Sequence, residues 1–258
     1  MLPTLFISHG SPATLIDATP GHHFLAGHGQ TFPRPKAILV ASAHWETARP
    51  AVNAVARNAT IYDFYGFPDA LYEMTYPAPG SLELAARVAD LLGAGGLETG
   101  IDRQRGLDHG AWVPLKLMYP GADIPVVQIS LQTRLGPEHH LRLGRLLSSL
   151  RGEGVLVMGS GSFTHNLGAI ERGDPDAVAP AWVMAFTEWM RDAITGGRTA
   201  DLLAYRERAP FARENHPTGE HLLPLFVALG AAGESAKARH LHHSVMLAVV
   251  GMDAFAFG

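Results

Sequence analysis

Apolar residues in this chain come in short unbroken runs rather than in strict alternation. LPTLFIS (2–8), AILVASA (37–43), AVNAVA (51–56), IPVVQISL (124–131), GVLVMGSG (154–161) and SVMLAVVG (244–251) have the length of β-strands. Several are continuously apolar, which suits strands covered on both faces. Between them apolar residues recur at helical spacing. SLELAARVADLLGAGG begins at an N-cap serine, Ser81, and stops at glycine, while PEHHLRLGRLLSSLR opens with Pro137 and ends at Arg151. Further helices are expected over 179–194 and 219–231, the second with Pro224 in its first turns, where proline is tolerated. Strands alternating with helices predict an α/β fold: a single domain, residues 1–258, with a central mixed, largely parallel sheet flanked by helices.

Residues 57–80, RNATIYDFYGFPDALYEMTYPAPG, follow neither period. They hold four tyrosines, two phenylalanines, three prolines and two glycines, and read as an ordered loop that either packs down over one end of the sheet or lines a pocket.

Composition narrows the chemistry. The chain has 258 residues, 47% of them hydrophobic, enough for a sizeable core. Twenty Lys+Arg against 24 Asp+Glu give a formal charge of −4, and no basic block could track a phosphate backbone, so no nucleic-acid partner is expected. With no cysteine, any transition metal must rest on histidine, carboxylate and water. The opening MLPTLFISHGS lacks a basic n-region, and no apolar run reaches the roughly 18 residues that span a bilayer, so a cytoplasmic protein with no membrane partner is expected.

Among the 14 histidines, three end apolar runs: LFIS leads to His9, LVASA to His44, and VLVMGSGSFT to His165. In parallel sheets ligands bind at the carboxyl ends of strands, where the loops diverge. Each of the three has small neighbours that let backbones approach closely. Singly, each is better explained by a core histidine bonded to a carbonyl; together they form a constellation. A fourth lies in HPTGEHLLPL, where Thr218 or Gly219 can cap the following helix and place Glu220 and His221 in its first turn, either within reach of a metal. His109, in GLDHGAW, completes the group, and Asp108 beside it could orient a histidine or cap the helix AWVPLKLMY. Of the remainder, His22, His23, His28, His139, His140, His240, His242 and His243 read as solvated or peripheral, and His216 is undecided. Trp45 has two open readings, behind the site or facing substrate.

HGSP, SAHWET, YDFYGFPDALYEMTYPAPG, DHGAWVPLKLMYPGADIPVVQISL, GSGSFTHNL and GEHLLPLFVALGA, in that order, resemble the class III extradiol ring-cleaving dioxygenases, in the branch typified by DOPA extradiol dioxygenase. The resemblance covers nearly the whole chain and departs mainly over residues 170–215. It implies an iron(II) centre needed for activity, with zinc in the same place in some members. Position by position it implies metal ligands at His9, His44 and His221, the last in place of the glutamate of the wider group. It implies an active-site acid/base at His165, near enough to be a fourth ligand, and a substrate contact at His109. Tyr62, Phe64 and Tyr65 are expected in the pocket wall. The partners implied are a small aromatic diol and O2, with His165 accepting a catechol proton and returning it later.

Two other classes share such residues. A zinc hydrolase using metal-bound water would need a carboxylate base, for which Glu46 or Glu220 could serve. A non-catalytic metal-binding protein would need none. The substrate stays open among caffeate, DOPA and simple catechols, with no cation evident for a carboxylate, and the oligomeric state is open.

Overall fold

The structure, a computed structural model, describes residues 1–170 and 178–258. Ten strands are present among them: β1 (Thr4–Ser8), β2 (Ala37–Glu46), β3 (Ala51–Asn53), β4 (Gly100–Asp102), β5 (Val126–Leu131), β6 (Val155–Gly161), β7 (Ala238–His242), β8 (Val245–Met246), β9 (Val250–Gly251) and β10 (Ala254–Phe257). Eight form one sheet in the order β4-β3-β5-β2-β6-β1-β10-β7. The central four, β5-β2-β6-β1, run parallel, while β3 joins β5 and β10 joins β1 antiparallel. The mixed, largely parallel sheet expected from the apolar runs is thus the fold.

Its central strands are continuously apolar because helices cover both faces. Leu39, Ala41, Val127, Ile129 and Val157 pack with the Leu82–Ala94, Gly136–Leu146, Ala181–Thr195 and Leu223–Ala232 helices. Their neighbours Ile38, Val40, Val126, Leu156 and Met158 face the other way, onto the Pro20–His28 and His109–Met118 helices. The alternation of the pleat is present, but both sets are apolar.

Three expectations need correction, and one helix was not foreseen. SVMLAVVG is no single strand: it folds back as the small β8-β9 hairpin, with Leu247 and Ala248 at positive φ (54° and 64°), and this side of the main sheet is completed by β10 and, at the edge, β7. AVNAVA pairs only over its first three residues. His22, His23 and His28 lie on a helix begun by Thr19, whose side chain accepts from His22 N–H, and Pro20. The C-terminal helix begins at Leu223, not 219, so Glu220 and His221 sit in the turn before it. Residues 57–80 are loop, as expected, broken only by the short Asp69–Glu73 helix.

Candidate metal centre and active site

β1, β6 and β2 deliver their carboxyl ends in register: Ile7 pairs with Ser160, and Ser160 with Ser42. Beyond these positions the strands give way to the site. His9 follows β1, its N–H donating to the Gly161 carbonyl at 2.9 Å. β2 pairs with β6 only as far as Ser42, and the Ser42 hydroxyl accepts from His44 N–H at 3.2 Å. The GSGS at the end of β6 lets the turn that carries His221 approach. A Cβ on Gly161 would lie 2.0 Å from the His221 carbonyl oxygen, so only glycine admits that turn, which Ser162 N–H then ties at 2.9 Å.

Side-chain nitrogens of His9, His44 and His221 lie within 4.8 Å of one another. Second bonds decide where each ring keeps its proton. Ser160 donates its hydroxyl hydrogen to the Gly110 carbonyl, so at 3.0 Å from His9 Nδ1 its oxygen must accept, which leaves the His9 Nε2 lone pair free. His221 Nδ1 faces Glu220 Oε1 at 2.9 Å, and its buried Nε2 has no hydrogen-bond partner among the described residues. His44 Nε2 stands 3.1 Å from His9 Nε2. Two ligands about 2.0–2.1 Å from a common ion, at tetrahedral to octahedral angles, stand roughly 2.9–3.3 Å apart. The donor set therefore fits a transition metal ion, and imidazole suits both zinc and iron.

The rings are also kept in the ligating form. Burial, then the neighbouring imidazoles, holds His9 and His221 well below the ordinary histidine range. His44 is lowered to about 3 by burial and by His109, against the opposing pull of Asp63. Neutral imidazoles bind a metal without first losing a proton.

Two more histidines border the cluster. His165 stacks on His221 with ring centroids 3.4 Å apart and planes 12° from parallel. Burial lowers its pKa, partly offset by Glu220. His109, the first residue of its helix, has its ring centroid 3.9 Å from that of His44. That helix clears the site because its second residue is Gly110: a Cβ there would lie 2.5 Å from Ser42 Oγ and 2.9 Å from His44 Cδ2. Of the aromatic loop, Phe64 meets His109 edge-on at 5.8 Å. Tyr62 packs on Trp112 and donates its hydroxyl to the Met74 carbonyl, and the Tyr65 ring, 92% exposed, stands in solvent.

The open readings of Asp108, Trp45 and His216 resolve, and those of His28 and His140 change. Asp108 orients no histidine: fully buried, it caps its helix by accepting from Ala111 N–H and also accepts from Ser42, Arg105 and Gln128. Trp45 lies behind the site, with the Arg105 guanidinium 4.6 Å above its ring and donating to the His44 carbonyl. His216 stays out of the cluster, buried against Phe186 and facing the Phe163 carbonyl. His28 and His140, expected to be solvated or peripheral, are buried. Glu220 and Glu46, the carboxylates a hydrolase would use, are engaged by His221 and Thr133.

Asp63 was not anticipated. It contacts His109 and approaches His44, and although burial pushes its carboxyl up, the His109 contact outweighs this and holds it at about 2. Its signal was a lone acid inside the otherwise aromatic YDFYGF.

A histidine cluster with open neighbours at the carboxyl edge of an α/β sheet defines a metal-site enzyme architecture. The chain belongs to the family described as the catalytic LigB subunit of aromatic ring-opening dioxygenase, whose model matches residues 3–257. It is 49% identical over 261 residues to a 4,5-DOPA dioxygenase extradiol of Beta vulgaris (98% of this chain, 96% of that one). It is 39% identical over 234 residues to the protein of that name in Escherichia coli K12 (89% of this chain, 85% of that one). The crystal structure of an uncharacterized protein from Escherichia coli K12 superposes with a TM-score of 0.82 at 33% identity, covering all of both chains. Among the described residues no helix is long and apolar enough to cross a membrane.

Proposed function

We propose that the chain is an extradiol dioxygenase that opens the ring of a catechol-type substrate, a DOPA-like or other 3,4-dihydroxyphenyl compound, with O2 at a non-haem iron(II). The observation that carries this reading is the convergence of His9, His44 and His221 on one point, with His165 and His109 bordering it. The relatives named 4,5-DOPA dioxygenase extradiol support the reaction class.

In this reading His9, His44 and His221 hold the metal through Nε2. The iron would supply adjacent positions for diol and dioxygen and an electron path between them. His165, held below the ordinary histidine range, is neutral near pH 7 and accepts the proton of a catechol hydroxyl oxygen. It later returns that proton to the opening ring. His109 contacts the substrate, Phe64 walls the pocket, Tyr62 backs that wall, and Tyr65 is free to fold over a bound ring.

The test is anaerobic reconstitution with iron(II), followed by oxygen uptake and the yellow colour of the opened product across a panel of catechols, with zinc-loaded protein as control. Uptake with iron alone is expected. His165→Ala should keep its metal and lose about 10²- to 10⁴-fold in turnover. Iron-loaded parent that consumes no oxygen with any catechol would sink the proposal.

A further inference from the structure

The aromatic loop sends a carboxylate into the site. Asp63 Oδ1 accepts the backbone N–H of His109 at 2.9 Å and lies 3.0 Å from His109 Nδ1. Its Oδ2 lies 3.6 Å from His44 Nδ1. One side chain thus faces the Nδ1 atoms of two imidazoles whose rings are 3.9 Å apart. His109 Nδ1 is buried and has no hydrogen-bond partner among the described residues, the Asp63 carboxylate standing beside it at ion-pair distance without hydrogen-bond alignment. Loops carry few constraints of their own, so a contact shared between two site rings ties the docking of residues 61–67 to the geometry of the centre.

We propose that Asp63 is a positioning residue that keeps the proton on Nδ1 of both His44 and His109. His44 then turns its Nε2 lone pair to the metal beside His9. His109 turns its own Nε2 lone pair into the pocket, where it accepts a hydrogen bond from a substrate hydroxyl instead of donating one. Without the carboxylate either ring can carry its proton on Nε2, which on His44 blocks ligation and on His109 reverses the polarity offered to the substrate. Carboxylates that accept from a ligating imidazole fix its tautomer and orientation, and their loss generally weakens metal binding about 10- to 100-fold. The substrate half of this inference rests on the function proposed above; the tautomer half does not.

The test uses zinc, which needs neither oxygen nor turnover. In zinc-loaded parent, two-bond 15N–1H correlations of the histidine side chains should show His44 and His109 protonated on Nδ1. Chelator competition should show zinc affinity falling about 10- to 100-fold in Asp63→Asn and recovering in part in Asp63→Glu, which keeps the charge. A His109 protonated on Nε2 in the parent, or parental zinc affinity in Asp63→Asn, overturns the proposal. The parent spectrum decides even if the variants fail to fold. Should iron-loaded parent cleave no catechol, the proposed function falls while the zinc and tautomer measurements still judge Asp63.

Discussion

Gly110 shows how much a single position can control. It is the second residue of a helix, where alanine would ordinarily stabilise by about 0.5–1 kcal/mol. A Cβ there would press on Ser42 Oγ at 2.5 Å, His44 Cδ2 at 2.9 Å and His9 Cε1 at 3.2 Å, so the cost falls on the His44 and His9 rings and on the serine that accepts from the His44 backbone. Gly110→Ala is therefore expected to lose at least about tenfold in zinc affinity and to melt lower than the parent, because overpacking costs about 1–3 kcal/mol and exceeds the gain in helix propensity. Chelator competition beside a thermal melt checks both, and parental affinity would refute the steric account. Ser160 works similarly through a proton: by giving its hydrogen to the Gly110 carbonyl it obliges His9 to donate from Nδ1.

At the level of elements, buried histidines that do no chemistry stitch loops to helices. His140 is fully buried in the Gly136–Leu146 helix; its Nε2 accepts the Gln132 N–H at the end of β5 and its Nδ1 faces the Gly136 carbonyl. Burial lowers it to about 4 from an ordinary 6.5. Between those values the unfolded chain binds the proton and the folded chain does not. Its stabilisation is thus complete above about pH 6.5 and is lost as pH falls toward 4, at up to about 1.4 kcal/mol per unit. Urea midpoints at about pH 7 and about pH 5 should separate by less in His140→Gln than in the parent, and equal separations would remove His140 from the account. That residue also shows the limits of sequence reading. The central strands, four of the main helices and the route of His9, His44 and His165 to one edge were legible because continuous apolar runs and N-cap signals are local. His140 was misread because adjacent polar letters hide which side chain turns inward. β7 and β10 were missed because strands as short as AFAF carry almost no period, and SVMLAVVG, largely apolar, bends where two residues adopt positive φ.

Across the whole molecule, the site gathers residues from opposite ends of the chain: His9 follows the first strand, while His221 precedes the last long helix. They meet only when β1, β6 and β2 pair in register and the Leu223–Ala232 helix packs on β6, whose Gly159 would put a Cβ 2.1 Å from the Pro224 carbonyl oxygen. A metal held by His9, His44 and His221 therefore binds the folded chain and has little to grip in the unfolded one. Linkage then sets the size of the effect: zinc at about 100 times its dissociation constant adds about 2.7 kcal/mol. In a protein of this size that corresponds to roughly 5–10 °C in melting temperature. Zinc should raise the melting temperature of the parent by that amount and leave His221→Ala almost unmoved, because its orphaned Nε2 is the third arm of the clasp. His139→Ala, which alters a helix-surface imidazole that faces Gln132 far from the cluster, should respond to zinc as the parent does. A zinc increment that survives in His221→Ala would mean the metal closes on some other set of side chains, and the three-histidine centre would have to be abandoned.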